Sequence, residues 1–396
     1  MSTIEVVAEP KSAPARPASS EQTSLRILHV AQPTTEGVAR CVGNLAGRQI
    51  RAGHDVTVAC PPGGDLPRWV LDAGAKLEPW PATRTPSPQV IAETRRLRSL
   101  IEGVDPELVH LHSAKAGLAG RMVVRGRLPT LFQPHAWSWL AASGPVRAGA
   151  RNWERRAVRW TDRIVCVSEE EVRLGREAGV SARYEVVPNG VDLAAYPFAD
   201  DTERRFARSR LGLNPDAPTV VCIGRLSRQK GQDVLIEAWP RVARTVDGAR
   251  LYLVGDGPDR SELEAKAPGG VVFAGTKADV PDWLAAADVI ALPSRWEGMS
   301  MVMLEAMATG RPVVASDVAG ASEALRGDGG AVVPPEDNDA LSTALIVRLE
   351  DPYRARNEGM AGRSRVEAAH SLEVAAQRTE RIYYEVLEER GMGEAG

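Results

Sequence analysis

The chain has 396 residues, with 49 Lys and Arg against 52 Asp and Glu and a formal net charge of −3; it is long enough for two domains and too evenly balanced for a dedicated nucleic-acid binder. Its four cysteines (Cys41, Cys60, Cys166 and Cys222) are scattered without CxxC spacing in mostly apolar contexts, which predicts buried reduced thiols in the cytoplasm rather than disulfides or a metal site. No apolar run approaches the ~20 residues that span a bilayer, and residues 1–24 lack the apolar core of a secretory signal and read as a disordered tail.

Residues 25–31 (LRILHVA) are an apolar run after a polar tail and predict a first buried strand. A loop over 32–37, a helix from about 38 to 52, the turn Gly53-His54-Asp55 and a strand over 56–59 make a βαβ opening, as in a doubly wound sheet. Runs at 70–73, 90–101, 108–111 and 130–132 continue the strand and helix alternation, and 164–167 and 184–187 supply later strands. The turn at 188–192 (PNGVD) closes this half, since Asn-Gly tolerates positive φ. A charged, irregular stretch follows to about Pro218, which places a hinge there. A second alternation then begins, with strands over 219–223, 250–254, 271–273, 289–292, 313–315 and 331–333 and a helix over 232–245. Residues 372–390 read as a long amphipathic terminal helix bearing Tyr383 and Tyr384. The fold class is therefore α/β: two Rossmann-like domains, over 25–200 and 215–368, facing a cleft, with a terminal helix over 370–390.

The segment from Ser294 to Ala315 (SRWEGMSMVMLEAMATGRPVVA) reads as a loop, helix and strand following the strand at 289–292. In an open α/β sheet this loop and the start of its helix form the ligand edge. Amides at Ser300, Met301 and Val302 would be unpaired there and would favour an anion. An acid is misplaced beside a phosphate, so Glu297 and Glu305 are expected to accept hydrogen bonds from sugar or ribose hydroxyls. Phosphate and polyol together describe a nucleotide-sugar. Upstream, Gly224-Arg225 and Lys230 end the first strand of the second half. Two cations at a strand's carboxyl end can stabilise a departing diphosphate without a metal.

Other candidate sites resolve less sharply. Asp337-Asn338-Asp339 follows two prolines and precedes an apolar run, so it predicts a helix N-cap rather than a manganese site. His110-x-His112 shows no third ligand in view, which argues against zinc. Arg151, Arg155 and Arg159 lie one helical turn apart among Trp139, Trp153 and Trp160; such a face can rest on anionic lipid or be an ordinary surface helix with its tryptophans packed inward.

The Glu-x7-Glu pair, set in LPSRWEG…LEAMATGRPVVAS, resembles the retaining GT-B glycosyltransferases of family 4, and the resemblance runs from Leu25 to Arg390. It implies that Glu297 touches the transferred sugar and Glu305 the donor ribose, and that Arg225 and Lys230 take the diphosphate. His135 would reach across the cleft from the first domain. Gly37, Gly224, Gly255 and the amide loop Gly298, Met299, Ser300 and Met301 would line the donor, with Thr276 and Lys277 where the base is read. The chain departs from the family pattern at Ala136, where glycine usually follows the histidine, and at Glu36-Gly37, where Gly-Gly is usual. The resemblance also implies retention of configuration, no metal, no cofactor beyond a UDP- or GDP-linked donor, and a terminal helix crossing back to the first, acceptor-side domain. The expected activity is transfer of a hexosyl-type sugar to a lipid-linked envelope or exopolysaccharide intermediate by a cytoplasmic protein peripheral on the membrane's inner face. The alternatives are a small secondary metabolite or phosphoinositol lipid as acceptor, or a GT-B nucleotide-sugar epimerase.

Overall fold

The computed structural model describes residues 24–83 and 88–391, so all of the expected tail but Ser24 lies outside the described residues. The first half runs β1 (Arg26–Ala31), α1 (Glu36–Arg51), β2 (Asp55–Cys60), α2 (Leu66–Asp72), β3 (Lys76–Pro79), α3 (Val90–Val104), β4 (Leu108–His112), α4 (Ser113–Val124), β5 (Thr130–Gln133), α5 (Gly144–Ala157), β6 (Arg163–Cys166), α6 (Glu169–Glu177) and β7 (Tyr184–Val186). The second runs α7 (Asp201–Leu211), β8 (Thr219–Ile223), α8 (Gln232–Thr245), β9 (Arg250–Val254), α9 (Arg260–Lys266), β10 (Val271–Gly275), α10 (Val280–Ala286), β11 (Val289–Leu292), α11 (Met301–Ala308), β12 (Val313–Ser316), α12 (Ala321–Leu325) and β13 (Gly330–Val333). Three helices end the chain: α13 (Asn338–Glu350), α14 (Pro352–Ala369) and α15 (Leu372–Glu389).

Two sheets result, ordered β3-β2-β1-β4-β5-β6-β7 and β10-β9-β8-β11-β12-β13. Their registered pairs are parallel, and helices cover both faces. That is why β4 and β8 are buried along their whole length and read as unbroken apolar runs or runs of neutralised polar groups. In each sheet the strand order reverses between the first and fourth strands, β1 beside β4 and β8 beside β11. The loops at the carboxyl ends of those strands form the ligand edge.

The terminal helix does cross back. Ile382, Tyr383, Val386 and Leu387 of α15 join Ile27, Ala39, Val56 and Leu131 in one first-domain core. The isoleucine, valine and leucine side chains among them contribute about 1.5–3 kcal/mol each by leaving water. The crossing runs beside the outward link, with Val191 donating to the His370 carbonyl at 2.9 Å and Leu372 to the Val191 carbonyl at 3.0 Å.

One expectation fails. The stretch read as irregular before Pro218 contains α7, capped by Asp200 accepting from Thr202 and Glu203 and closed by Gly212 at φ 67. Charge hid it: Arg208 is buried because it donates to the Ala286 carbonyl (2.9 Å) and to Asp288 (2.7 Å). The run at 70–73 is the end of α2 and its C-cap Ala73, and the short, exposed edge strand β3 that follows it was not expected. The helix expected from about 38 to 52 is present as α1, Glu36–Arg51.

Candidate active site

The donor-side turns are packed backbone to backbone. Gly255 has φ 138, and a Cβ there would stand 2.1 Å from the Gly224 carbonyl oxygen. A Cβ on Gly257 would meet the Leu226 carbonyl at 2.2 Å. The turns after β8 and β9 therefore need glycine whatever else they touch. Gly224 itself has φ 155.

Above these turns two of the charged residues predicted from sequence, Lys230 and Glu297, bond each other, while Arg225 and Glu305 meet first-domain partners. Lys230 Nζ pairs with Glu297 Oε1, which also accepts from Ser294 Oγ at 3.0 Å. Burial alone would pull Lys230 down, but Glu297 holds its pKa above the ordinary lysine value. Arg225 Nε lies 3.1 Å from Glu36 Oε1 of the first domain, although its N–H finds no aligned acceptor. It is a charge contact rather than a directed hydrogen bond. Glu36 takes φ 63, a left-handed conformation unusual for glutamate.

The α11 terminus carries the second carboxylate. Ser300 caps the helix by accepting from Met303 N, which leaves the Met301 and Val302 amides at its open end. Glu305 is 2% exposed and bonded by Arg40 Nη1 at 2.7 Å, and the same Arg40 nitrogen bonds the Tyr196 hydroxyl. Burial pushes the Glu305 carboxyl up, against the pull of Arg40. The cleft is closed around these groups. A Cβ on Gly298 would lie 3.1 Å from the His135 carbonyl, and one on Gly37 would lie 3.4 Å from Met301 Cγ. Asn189, in the turn between the domains, donates to the Met299 carbonyl at 2.8 Å. Thr276 and Lys277 are exposed, one step beyond the bridge between Gly255 and Gly275.

On the first-domain side His135 has φ 55 and Ala136 φ 114. The alanine at the family's glycine position thus keeps a glycine-like backbone. The buried carboxyl of Glu171 accepts from Ala136 N at 2.7 Å and from Val167 N at 2.8 Å and holds the turn in place. Burial raises its pKa to about 7.

Sequence reasoning missed Arg40, Tyr196, Asn189 and Glu171, which act through contacts distant in sequence. It also erred on His110-x-His112: a third imidazole is present, since His29 on β1 lies beside both, with ring nitrogens of the three within 4.8 Å. Those nitrogens bond mainly to one another and to Gln49 and Tyr383. Asp337 accepts from Ala340 N at 2.8 Å, as a helix cap should. The arginine row on α5 is uneven, because Arg155 donates to the Ala178 carbonyl and Arg151 is part-buried. Among the described residues no helix is long and apolar enough to cross a membrane.

Two Rossmann-like domains whose ligand edges close on one cleft have the architecture of the GT-B glycosyltransferases. Residues 35–195 match the model for Glycosyltransferase Family 4 and residues 217–351 that for Glycosyl transferases group 1. A GDP-mannose-dependent alpha-(1-6)-phosphatidylinositol monomannoside mannosyltransferase of Mycobacterium tuberculosis is 34% identical over 364 residues, covering 85% of this chain and 91% of the relative. A Corynebacterium glutamicum GDP-mannose-dependent monoacylated alpha-(1-6)-phosphatidylinositol monomannoside mannosyltransferase is 36% identical over 247 residues, covering 59% of this chain and 65% of the relative. Anabaena HepE, solved with UDP and glucose, has the same fold, with a TM-score of 0.79 at 21% identity over 90% of this chain and 99% of its own. The chain belongs to glycosyltransferase family 4.

Proposed function

We propose that this protein is a retaining, metal-independent transferase that moves a mannose-type hexose from a GDP-linked donor to a hydroxyl of an envelope glycolipid at the cytoplasmic membrane face. The observation that carries this reading is the pairing of Lys230 with Glu297, of Arg225 with first-domain Glu36 and of Glu305 with first-domain Arg40 along the second domain's ligand edge, where the His135 backbone closes on Gly298. The choice of GDP-mannose and of a phosphoinositol-type lipid follows the named substrates of the two mannosyltransferase relatives.

The bond from the anomeric carbon to the β-phosphate oxygen breaks, and the electron pair leaves with the nucleoside diphosphate. Arg225 and Lys230 stabilise that charge, and the open amides of α11 add to it. The acceptor oxygen bonds the same face of the sugar, and its proton passes to the departing phosphate. Glu297 and His135 hold the sugar, and the closed cleft keeps water from competing. Donor entry exchanges the Glu36 contact of Arg225 and the Glu297 contact of Lys230 for phosphate oxygens, so these cations are already desolvated and positioned when the diphosphate arrives.

Thermal shift with GDP, UDP and ADP, followed by transfer from GDP-mannose to a phosphoinositol mannoside in EDTA, tests this. GDP should stabilise most, transfer should survive EDTA, and NMR should show the donor's anomeric configuration in the product. Stabilisation by no nucleotide sinks the donor site, and loss of transfer in EDTA sinks the metal-free mechanism.

A further inference from the structure

His135 is the visible end of a buried chain of hydrogen-bonding groups. Its Nε2 lies 3.1 Å from His112 Nδ1. His112 Nε2 lies 2.9 Å from His29 Nδ1, and His29 Nε2 lies 2.7 Å from Gln49 Oε1. The Gln49 amide nitrogen then donates to the Tyr383 hydroxyl of α15 at 3.3 Å. His29 and His112 are fully buried and Gln49 nearly so. The parallel register sets His29 of β1 against His110 of β4, which puts His112 one pleat nearer the carboxyl edge on the same face. The chain thus runs along the sheet from the returning helix to the cleft.

Each nitrogen-to-nitrogen contact needs one N–H and one lone pair. Burial holds the rings neutral, with His29 lowered to about 4 and His135 to about 3, so each carries one proton. A carbonyl oxygen cannot donate, and that breaks the symmetry. Gln49 Oε1 must accept from His29 Nε2–H, which leaves His29 Nδ1 to accept from His112 Nε2–H. His112 Nδ1 in turn accepts from His135 Nε2–H. What remains is a lone pair on His135 Nδ1, which no described residue bonds. Reversing the amide would move every proton by one nitrogen and make the same atom a donor.

We infer that Gln49, acting through His29 and His112, fixes the tautomer of His135 so that its Nδ1 meets the cleft as a hydrogen-bond acceptor for a hydroxyl of the bound sugar. Gln49, His29 and His112 are positioning residues, and none of them touches substrate. The arrangement selects a sugar with a free hydroxyl at that point. A methyl ether or a deoxy carbon there leaves the lone pair unpaired inside a closed cleft.

The test uses the full chain labelled with 15N histidine, whose six imidazoles report their tautomers through long-range proton–nitrogen couplings at about pH 7. The wild type should show His135 protonated at Nε2 and bare at Nδ1. Gln49→Glu keeps an acceptor in place and should retain that pattern. Gln49→Leu should shift His135 toward a mixture and lower kcat by about tenfold, with a smaller change in KM. His54 and His370 lie outside the chain and should not move if folding is intact; Gln49→Met, with closer volume, replaces the leucine variant if they do. A donor proton on His135 Nδ1 in the wild type overturns the inference. So does an unchanged His135 pattern in Gln49→Leu, or stoichiometric divalent metal on the purified protein, which would take the lone pairs of His29, His110 and His112. The turnover arm rests on the donor reading above, but the tautomer arm does not. The expected tautomers without transfer from any nucleotide-sugar would therefore count against the transferase substrate alone.

Discussion

At the scale of single residues, Lys230 and Glu305 separate chemistry from binding. Lys230 already sits against Glu297, and on the proposed reading its charge matters most when the diphosphate leaves. Lys230→Ala is expected to lower donor turnover by about 10²-fold or more, with little change in nucleotide affinity. On the proposed reading Glu305 holds the donor ribose and touches no reacting group. Glu305→Gln should weaken nucleotide binding by about tenfold through loss of a charged acceptor, and isothermal titration with GDP measures it. If both variants bind and turn over like the wild type, the site is misassigned. Ala136 makes a third case. An alanine at φ 114 carries strain of about 1–3 kcal/mol, and glycine returns part of it as unfolded-chain entropy. Ala136→Gly should therefore stabilise by about 1 kcal/mol and raise Tm by a few degrees; a lower Tm would mean that Glu171 has removed the strain. Glu297, Arg225, Lys230 and His135 could be placed on the ligand edge from sequence because each follows a strand in a loop, and Glu305 because it lies in the helix α11 that such a loop opens. Arg40 and Tyr196 were not, because their role arises only when Glu305, far along the chain, folds against them.

At the scale of elements, legibility follows the source of packing. Strands β8, β9 and β11 were read to the residue because a sheet buried on both faces demands unbroken apolar runs. Helix α14 was missed because its buried face is made of Ala355, Glu358, Gly359, Gly362 and Val366. A Cβ on Gly359 would stand 2.0 Å from the Gly310 carbonyl, so this helix packs by smallness and carries no apolar period. The contact between α12 and α6 is another such case. Both Glu323 carboxylate oxygens accept from the Glu169 and Glu170 amides at 2.9 Å, so an acid of the second domain caps a helix of the first. An acid at a helix N-terminus is worth about 0.3–1 kcal/mol when exposed and up to about 2 when partly buried. Glu323→Ala should thus shift the closed cleft toward open by roughly fivefold, seen as a larger radius of gyration in solution scattering of the nucleotide-free protein. An unchanged radius would show that the closed state does not depend on this cap.

For the whole molecule, the histidine-lined core of the first domain decides how stability changes with pH. His29 is lowered by burial to about 4, His135 to about 3 and His370 to about 4, and His110 and His112 lie well below the ordinary value. Below pH 6.5 the unfolded chain binds protons on these rings that the native protein refuses, so stability is present above that value and is lost as pH falls. Glu171 acts with the opposite sign. Burial raises it from 4.5 to about 7, so the native state binds its proton more tightly and that contribution is lost as pH rises across this window. Glu305, raised in the same sense, sides with it. The histidines outnumber the two acids, and near pH 5.5 unfolding should take up roughly three protons net. Each proton is worth about 1.4 kcal/mol per pH unit, so stability should fall by about 4 kcal/mol per unit of acidification there. Urea unfolding at several pH values measures the slope. Removing one ring isolates the cause: His110 Nε2 has no partner among the described residues, and His110→Phe fills the same space without a titrating group. That variant should lose about one proton from the slope whatever it does to absolute stability. A slope near zero between about pH 5 and 6 would mean that these imidazoles are already charged in the native state, and the neutral chain behind His135 could not then exist as described, whereas a slope unchanged in His110→Phe would mean that His110 alone is charged there.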